Sequence, residues 1–270
     1  MEIKELIYAL RPGNGVLAAI GVFTGFTVAR GAIGFNIDLA FAMLAAFFIT
    51  GAGNVINDYF DFEIDKKLGK NIVKNFEGKT LFAYSMFLFA VGLIFTTGIN
   101  YDATLIALFV SILLIVYSGI MQNYKFLGNI VVSIGTAATL IFGATIMHNY
   151  SIVIWFAISA FFANIAREII KDTEDMKGDK GAKKTLPMLI GVSKTGFIVF
   201  AAYLLAVLVA LYVMIIGIVT GILYPLLLAA ASIVFFTSWK FFAKKEYNKA
   251  QKFSKLGMTI ALLAFLGAVL

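Results

Sequence analysis

Asp58, Asp61 and Asp65 stand in the stretch NVINDYFDFEIDKKLGKN, residues 54–71, at spacings i, i+3 and i+7. Asn54 precedes Asp58 by one turn, so all four share one face of a helix. A second segment, REIIKDTEDMKGDKGAKKTLP from Arg167, repeats the pattern. Asp172, Asp175 and Asp179 keep the same spacing, and Glu168 takes the place that Asn54 holds in the first. Oxygen-rich clusters without His or Cys suit hard divalent cations, Mg²⁺ or Mn²⁺, and Mg²⁺ is commonly held by a few carboxylates with waters and substrate phosphates. Two such faces set against each other would hold a diphosphate between bridging metals, which turn a repulsive meeting of anions into binding. Arg167, Lys171, Lys66 and Lys125 are the basic residues available at these helix ends for the remaining phosphate oxygens. Part of the charge can instead pair with itself, since Lys171 with Asp175, Asp179 with Lys183 and Glu63 with Lys67 are i, i+4 pairs of a solvated surface. That reading accounts for one acidic segment, but not for two with the same three-acid spacing.

Both segments follow about twenty almost purely apolar residues, the length that crosses a bilayer core of about 30 Å. The whole chain has this character: 61% of its 270 residues are hydrophobic and 14% charged, with a mean hydropathy of +0.94. A soluble domain carries about a quarter charged residues, so the composition describes an integral membrane protein of the all-α class, residues 1–270 forming one domain. Runs near 15–34, 38–57, 79–98, 103–121, 127–147, 151–170, 195–216, 219–239 and 254–270 predict a nine-helix transmembrane bundle. The first run lacks a small-residue cleavage site, and Glu2 and Glu5 precede it, so it reads as a retained span. Zero Cys removes disulfides, thiolate metal sites and Cys nucleophiles from consideration.

With the N-terminus in the cytoplasm, the inner segments are 1–14, 58–78, 122–126, 171–194 and 240–253. Of the 22 Lys and Arg, only Arg30 then falls clearly on the other side, which sets the N-terminus inside and the C-terminus outside. The net charge of +7 is explained by that rule together with attraction to anionic headgroups, above all in KKEYNKAQKFSK, residues 244–255. Nothing in the sequence points to nucleic acid or to a protein partner.

The second and sixth spans run inward, so their aspartates sit at helix C-termini, where the macrodipole disfavours negative charge and calls for cations. Their recurrence after four helices hints at an internal duplication. A membrane adds room for a long hydrocarbon tail, and a diphosphate at the headgroup boundary with its chain between helices describes a polyprenyl diphosphate. Ionising its allylic C–O bond leaves negative charge beside the metals and a carbocation in a dry aromatic pocket. Tyr117 and Tyr59 lie near that boundary, where they serve either as faces for a cation or as interfacial belt residues.

NVINDYFDFEID resembles the N-x-x-N-D-x-x-D-x-x-x-D signature of the UbiA-type intramembrane prenyltransferases, and KDTEDMKGD resembles their second motif. RPGNG at residues 11–15, YSGIMQNYKFLGN at 117–129 and QKFSKLGMTIALLAF near the C-terminus extend the resemblance over most of the chain. It implies a UbiA-like bundle around a central prenyl-binding cavity. The Arg167–Pro187 segment is most similar to the archaeal branch that makes digeranylgeranylglyceryl phosphate. The implied reaction moves a geranylgeranyl group from geranylgeranyl diphosphate to the carbon-2 hydroxyl of geranylgeranylglyceryl phosphate, with Mg²⁺ as cofactor. By the same resemblance Asn54, Asn57, Asp58, Asp61 and Asp65 bind metal and diphosphate together with Asp172, Asp175 and Asp179. Arg167, Lys171 and Lys125 become phosphate ligands, and Arg11 with Asn14 is assigned to the acceptor's glyceryl phosphate. The chain departs from the family after the first motif: KKLGKNIVKN stands where an Asn-x-Pro-x-Arg-Pro-like run is usual, and Lys66 or a neighbouring Lys takes the Arg's place without its bidentate fork.

Two rivals remain at this level. An aromatic or tetrapyrrole acceptor would use the same diphosphate machinery. A cation transporter would want its acids near the bilayer midplane, not at the inner helix ends. His148 in the short outer loop reads as solvated, Trp155 and Trp239 as interface anchors, and the small residues at 51–54 and 135–144 as close-packing positions.

Overall fold

Inside a bilayer no water satisfies backbone N–H and C=O groups, so long apolar runs must close their hydrogen bonds within themselves as helices. In the computed structural model, which describes residues 2–67, 76–121, 125–176, 185–216, 219 and 221–270, they do so. The elements are α1 (Glu2–Leu10), α2 (Pro12–Arg30), α3 (Ile37–Lys67), α4 (Gly78–Thr97), α5 (Tyr101–Val116), α6 (Lys125–Ala144), α7 (Val153–Asp175), α8 (Leu186–Ile190), α9 (Val192–Ile215), α10 (Leu223–Ala243) and α11 (Tyr247–Gly267). A π-helical turn, Tyr117–Met121, prolongs α5.

Eight of these helices, α2 to α7, α9 and α10, are long and apolar enough to span a membrane. The ninth expected span is present as α11, but Lys249, Lys252 and Lys255 occupy its first turns, so only its later part is apolar. The bundle is otherwise the expected all-α, polytopic one, and no strand occurs among the described residues. Two short helices, α1 and α8, fall in segments the hydropathy pattern assigned to connections.

Local signals fix the element ends. Gly31, in the left-handed region at φ 76, ends α2 by donating its N–H to the carbonyls of Thr27 and Val28. Asn100 caps α5 through a 2.8 Å bond from the Ala103 N–H. Between α1 and α2, Arg11 itself takes a left-handed conformation at φ 51, with Pro12 beginning the next helix.

Packing follows a repeat. α2 lies on α3, α3 on α4 and α4 on α5, just as α6 lies on α7, α7 on α9 and α9 on α10. The same numerical offset carries Asp58 to Asp172, Asp61 to Asp175, and the first residue of α4, Gly78, to the first residue of α9, Val192. The two four-helix units meet where α2 crosses α6. There a Cβ on Gly25 would lie 1.9 Å from the Leu140 carbonyl oxygen and one on Gly143 2.0 Å from that of Val22. Only glycine allows backbones this close, the usual device where lipid removes any hydrophobic drive between helices. α11 packs along α10 and reaches α7 and α2.

With 31 residues, α3 extends about 46 Å at 1.5 Å per residue, well beyond the hydrocarbon thickness. Its C-terminal turns therefore project at the headgroup level and carry the first acidic motif there. α7, with 23 residues, is shorter at about 34 Å and carries Asp172 and Asp175 of the second motif in its last turn.

Candidate active site

On α3, Asp61 is buried and Asp58 half-buried. Asp58 accepts a 2.6 Å bond from Arg11 Nη2, while Arg11 Nη1 reaches Asn54 Oδ1 at 3.4 Å. Asn54 in turn donates from Nδ2 to the Leu10 carbonyl at 3.1 Å, and Asn57 donates to Asp61 Oδ2 at 3.1 Å. A cation at the α1–α2 link thus meets Asp58, which lies more than two turns inside α3, since the helix runs on to Lys67 and the expected placement at its C-terminus does not hold for this residue.

On α7, Asp172 and Glu168 are buried and Asp175 is exposed. Asn129 of α6 donates to Asp172 Oδ2 at 2.9 Å. From Asn129 a buried chain continues: its carbonyl accepts from the Ser133 hydroxyl at 2.6 Å, and Ser133 Oγ accepts from Asn164 Nδ2 at 3.1 Å. Asn164 Oδ1 accepts from Arg167 at 3.3 Å, and Arg167 also pairs with Glu168. Lys171 lies 4.0 Å from the other Glu168 oxygen. The basic side chains of this helix therefore face Glu168, where the sequence suggested a Lys171–Asp175 pair.

Tyr117 joins the two halves. The π-helical turn that it opens adds a residue to its helical turn, a feature that often re-aims side chains at functional sites. Its side chain lies within electrostatic reach of Asp61 from α3 and of Asp172 and Glu168 from α7. Its hydroxyl rests on α6 at Gly128, where a Cβ would come within 2.2 Å of it. Tyr59 faces elsewhere, its ring packed on Phe60 and Phe82 at centroid distances of 4.9 and 5.3 Å.

The other sequence-derived candidates are placed less centrally or lie outside the description. Asn14 is exposed in the first turn of α2. Lys66 is exposed with its ammonium 5.9 Å from the centre of the Phe62 ring. Asp179, with Lys183, lies outside the described residues, as do the side chains of Asp65, Lys67 and Lys125.

What sequence reasoning missed is the set that holds the acids: Asn129, Ser133 and Asn164, with Arg11 as the partner of Asp58. A signal existed, because an amide in a run such as LGNIVV or FFANIA is costly to bury without a partner. At the opposite end of the bundle the chain's single His stays exposed, as expected, with Nδ1 3.3 Å from Asp102. Tyr150 donates to the same carboxylate at 3.1 Å, and its phenol is pushed up, by burial first and then by Asp102. Trp239 donates to the Gly196 carbonyl at 3.1 Å and so ties α10 to α9.

The donor set bears on the implied metal. Asp58 with Asp61, and Asp172 with Asp175, supply oxygen alone, and among the described residues no three acidic groups converge on one point. Carboxylate oxygens, with water and phosphate oxygens in the remaining positions, fit Mg²⁺ better than a cation that favours imidazole or thiolate.

Comparison with known proteins agrees with this geometry. The model of the UbiA prenyltransferase family matches residues 18–265. The chain is 35% identical over 275 residues to the digeranylgeranylglyceryl phosphate synthase of Pyrococcus horikoshii, covering 98% of this chain and 97% of that protein. A solved structure of a digeranylgeranylglyceryl phosphate synthase superposes with a TM-score of 0.83 at 29% identity, covering 99% of each chain. A UbiA homologue from Archaeoglobus fulgidus bound to DMAPP and Mg²⁺ shares the fold, with a TM-score of 0.70 at 16% identity over 97% of this chain and 99% of that one.

Proposed function

The chain belongs to the UbiA prenyltransferase family, and we propose that it transfers a geranylgeranyl group from geranylgeranyl diphosphate to the carbon-2 hydroxyl of geranylgeranylglyceryl phosphate, with Mg²⁺, as the second ether-forming step of an archaeal lipid. The observation that carries the reaction class is the position of Tyr117, a single side chain within reach of acids from both helix ends. The acceptor rests on the similarity to the Pyrococcus horikoshii synthase over nearly the whole chain.

Asp58, Asp61, Asp172 and Asp175, with Asp65 and Asp179, are the proposed ligands of Mg²⁺ and, through it, of the diphosphate. When bound, Mg²⁺ would offset the charge that develops on the leaving diphosphate. Asn57 and Asn129 hold Asp61 and Asp172 in place. Arg167, Lys171 and Lys125 are proposed for the outer phosphate oxygens, Lys66 for the position of the absent family Arg, and Arg11 with Asn14 for the acceptor's phosphate. Tyr117 presents an aromatic ring where C1 of the donor would gain positive charge. The N-terminus and the site are proposed to face the cytoplasm and the C-terminus the outside, because Arg30 is the one cation clearly at the far end.

The test is a transfer assay on purified protein in lipid nanodiscs, with labelled geranylgeranyl diphosphate, Mg²⁺, and geranylgeranylglyceryl phosphate beside 4-hydroxybenzoate. Product from the glyceryl phosphate alone, lost with EDTA and in Asp58→Ala and Asp175→Ala, is expected. Product from the aromatic alone would move the acceptor while keeping the mechanism. No metal-dependent transfer to either would overturn the reading.

A further inference from the structure

We propose that Glu168 accepts the proton of the acceptor hydroxyl during transfer, a role that rests on the prenyl-transfer reading above. The inference starts from depth. Glu168 lies on the face of α7 that carries Asp172 and Asp175, four residues toward the bilayer interior from Asp172, a rise of about 6 Å. If the aspartates anchor the diphosphate at the headgroup level, the bond that breaks lies just inside it, where the prenyl chain begins. The helix turn facing that level on α7 is the turn of Glu168.

The pseudo-repeat sharpens the choice. The equivalent position on α3 is Asn54, whose amide is committed on both sides, donating to the Leu10 carbonyl at 3.1 Å and accepting from Arg11 at 3.4 Å. An amide is too weak a base to take the proton of a reacting hydroxyl, whereas a carboxylate can. Glu168 is 7% exposed, and a buried carboxylate needs a reason to be there. It does not belong to the i, i+3, i+7 acid set, and Tyr117, the residue between the two halves, lies within its electrostatic reach.

The step balances as follows. The C1–O bond to the diphosphate breaks with its electron pair going to the diphosphate. A lone pair of the acceptor oxygen forms the new C1–O bond. The O–H proton then passes to Glu168, which is reset when that proton leaves with the released diphosphate. An alcohol oxygen that has gained a carbon is strongly acidic, so an ordinary carboxylate suffices as base, and what matters is its presence at hydrogen-bond distance. Protonating Glu168 also weakens its hold on Arg167 and Lys171 once the diphosphate has taken its charge, which leaves the same two cations freer to hold the leaving group.

The experiment compares Glu168→Gln and Glu168→Asp with the parent protein in nanodiscs, measuring kcat and KM for the donor beside binding of Mn²⁺ and of a non-ionising thiolodiphosphate donor analogue. In the Gln variant kcat is expected to fall by at least about 100-fold, within the usual range for a lost general base. Mn²⁺ and analogue affinities are expected to stay within about threefold of the parent, and Asp to restore part of kcat. Intact kcat in the Gln variant would overturn the proposal. So would a loss that appears as raised donor KM or failed analogue binding, since Glu168 would then only hold Arg167 and Lys171. Transfer by the parent protein is the reference: without it the reaction reading falls before any variant is compared.

Discussion

The guanidinium of Arg11 lies 2.6 Å from the Asp58 carboxylate, a contact that ties the α1–α2 link to the acidic end of α3. Arg11 holds this position at a backbone cost, since its φ of 51 lies in the left-handed region, which costs a non-glycine residue roughly 1–2 kcal/mol. Its side chain is 37% exposed, so the pair itself adds less than about 1 kcal/mol. Arg11→Gly should therefore melt about 3 °C above Arg11→Ala, although both lose the contact. In the transfer assay both are expected to lose about tenfold or more, with Arg11→Lys between these two and the parent, because an ammonium keeps the charge but lacks the fork that reaches both Asn54 and Asp58. An Arg11→Ala protein as active as the parent would show that this contact is not part of the site's machinery.

Asn129 and Asp172 are both buried and 2.9 Å apart. Replacing Asn129 by Ala leaves a buried carboxylate oxygen without this donor, at a cost of about 1–3 kcal/mol. Asn129→Asp does worse, by setting two carboxylates against each other. Thermal melts should rank the proteins parent, Ala, Asp, and Mn²⁺ binding in the presence of the donor analogue should weaken by about tenfold in Ala. Unchanged Mn²⁺ affinity in the Ala variant would separate Asn129 from the metal site.

Hydropathy alone located the spans, because a bilayer admits few backbone solutions, and the i, i+3, i+7 spacing placed the aspartates on one face of each helix. Periodicity does not say which helices cross. Nothing in the sequence near Asp58 names Arg11 as its partner, since the contact depends on how the α1–α2 link folds back over α3. The same limit explains Lys171. Its i, i+4 distance to Asp175 suggested a pair, yet in the bundle Asp175, the last residue of α7, is exposed, while buried Glu168, one turn the other way, draws the ammonium. The α11 span was legible by position, and its three early lysines are what set it apart from the other eight.

The α2–α6 crossing depends on two glycines. An added Cβ would meet the Leu140 carbonyl oxygen at 1.9 Å from Gly25 and that of Val22 at 2.0 Å from Gly143. Backbone cannot rotate away as a side chain can, so either Gly→Ala change must part the helices, with a loss of at least about 3 kcal/mol. Gly135, on the same α6, has nothing within 4 Å of its would-be Cβ. There Ala should be tolerated, gaining about 0.5–1 kcal/mol from the helix backbone. Melting curves of the three variants in one detergent decide it, and a stable Gly25→Ala protein would mean that the two four-helix units are not joined here.

Tyr117 and Gly128 form a pair whose coupling can be measured directly. The hydroxyl and ring edge of Tyr117 fill the space above Gly128, with a would-be Cβ at 2.2 Å from the oxygen and 2.6 Å from Cζ. A methyl group on Gly128 must displace the ring from the position in which it lies within electrostatic reach of Asp61 and Asp172. Gly128→Ala is therefore expected to lower the transfer rate more than tenfold while the chain still folds, since the displaced group is a side chain and not backbone. The same substitution should have no further effect once Tyr117→Ala has removed the ring. Such non-additivity corresponds to a coupling of at least about 1.4 kcal/mol. If the two losses instead multiply, Gly128 acts through the α6 backbone, and the position of Tyr117 between the acidic helix ends is not what the reaction depends on.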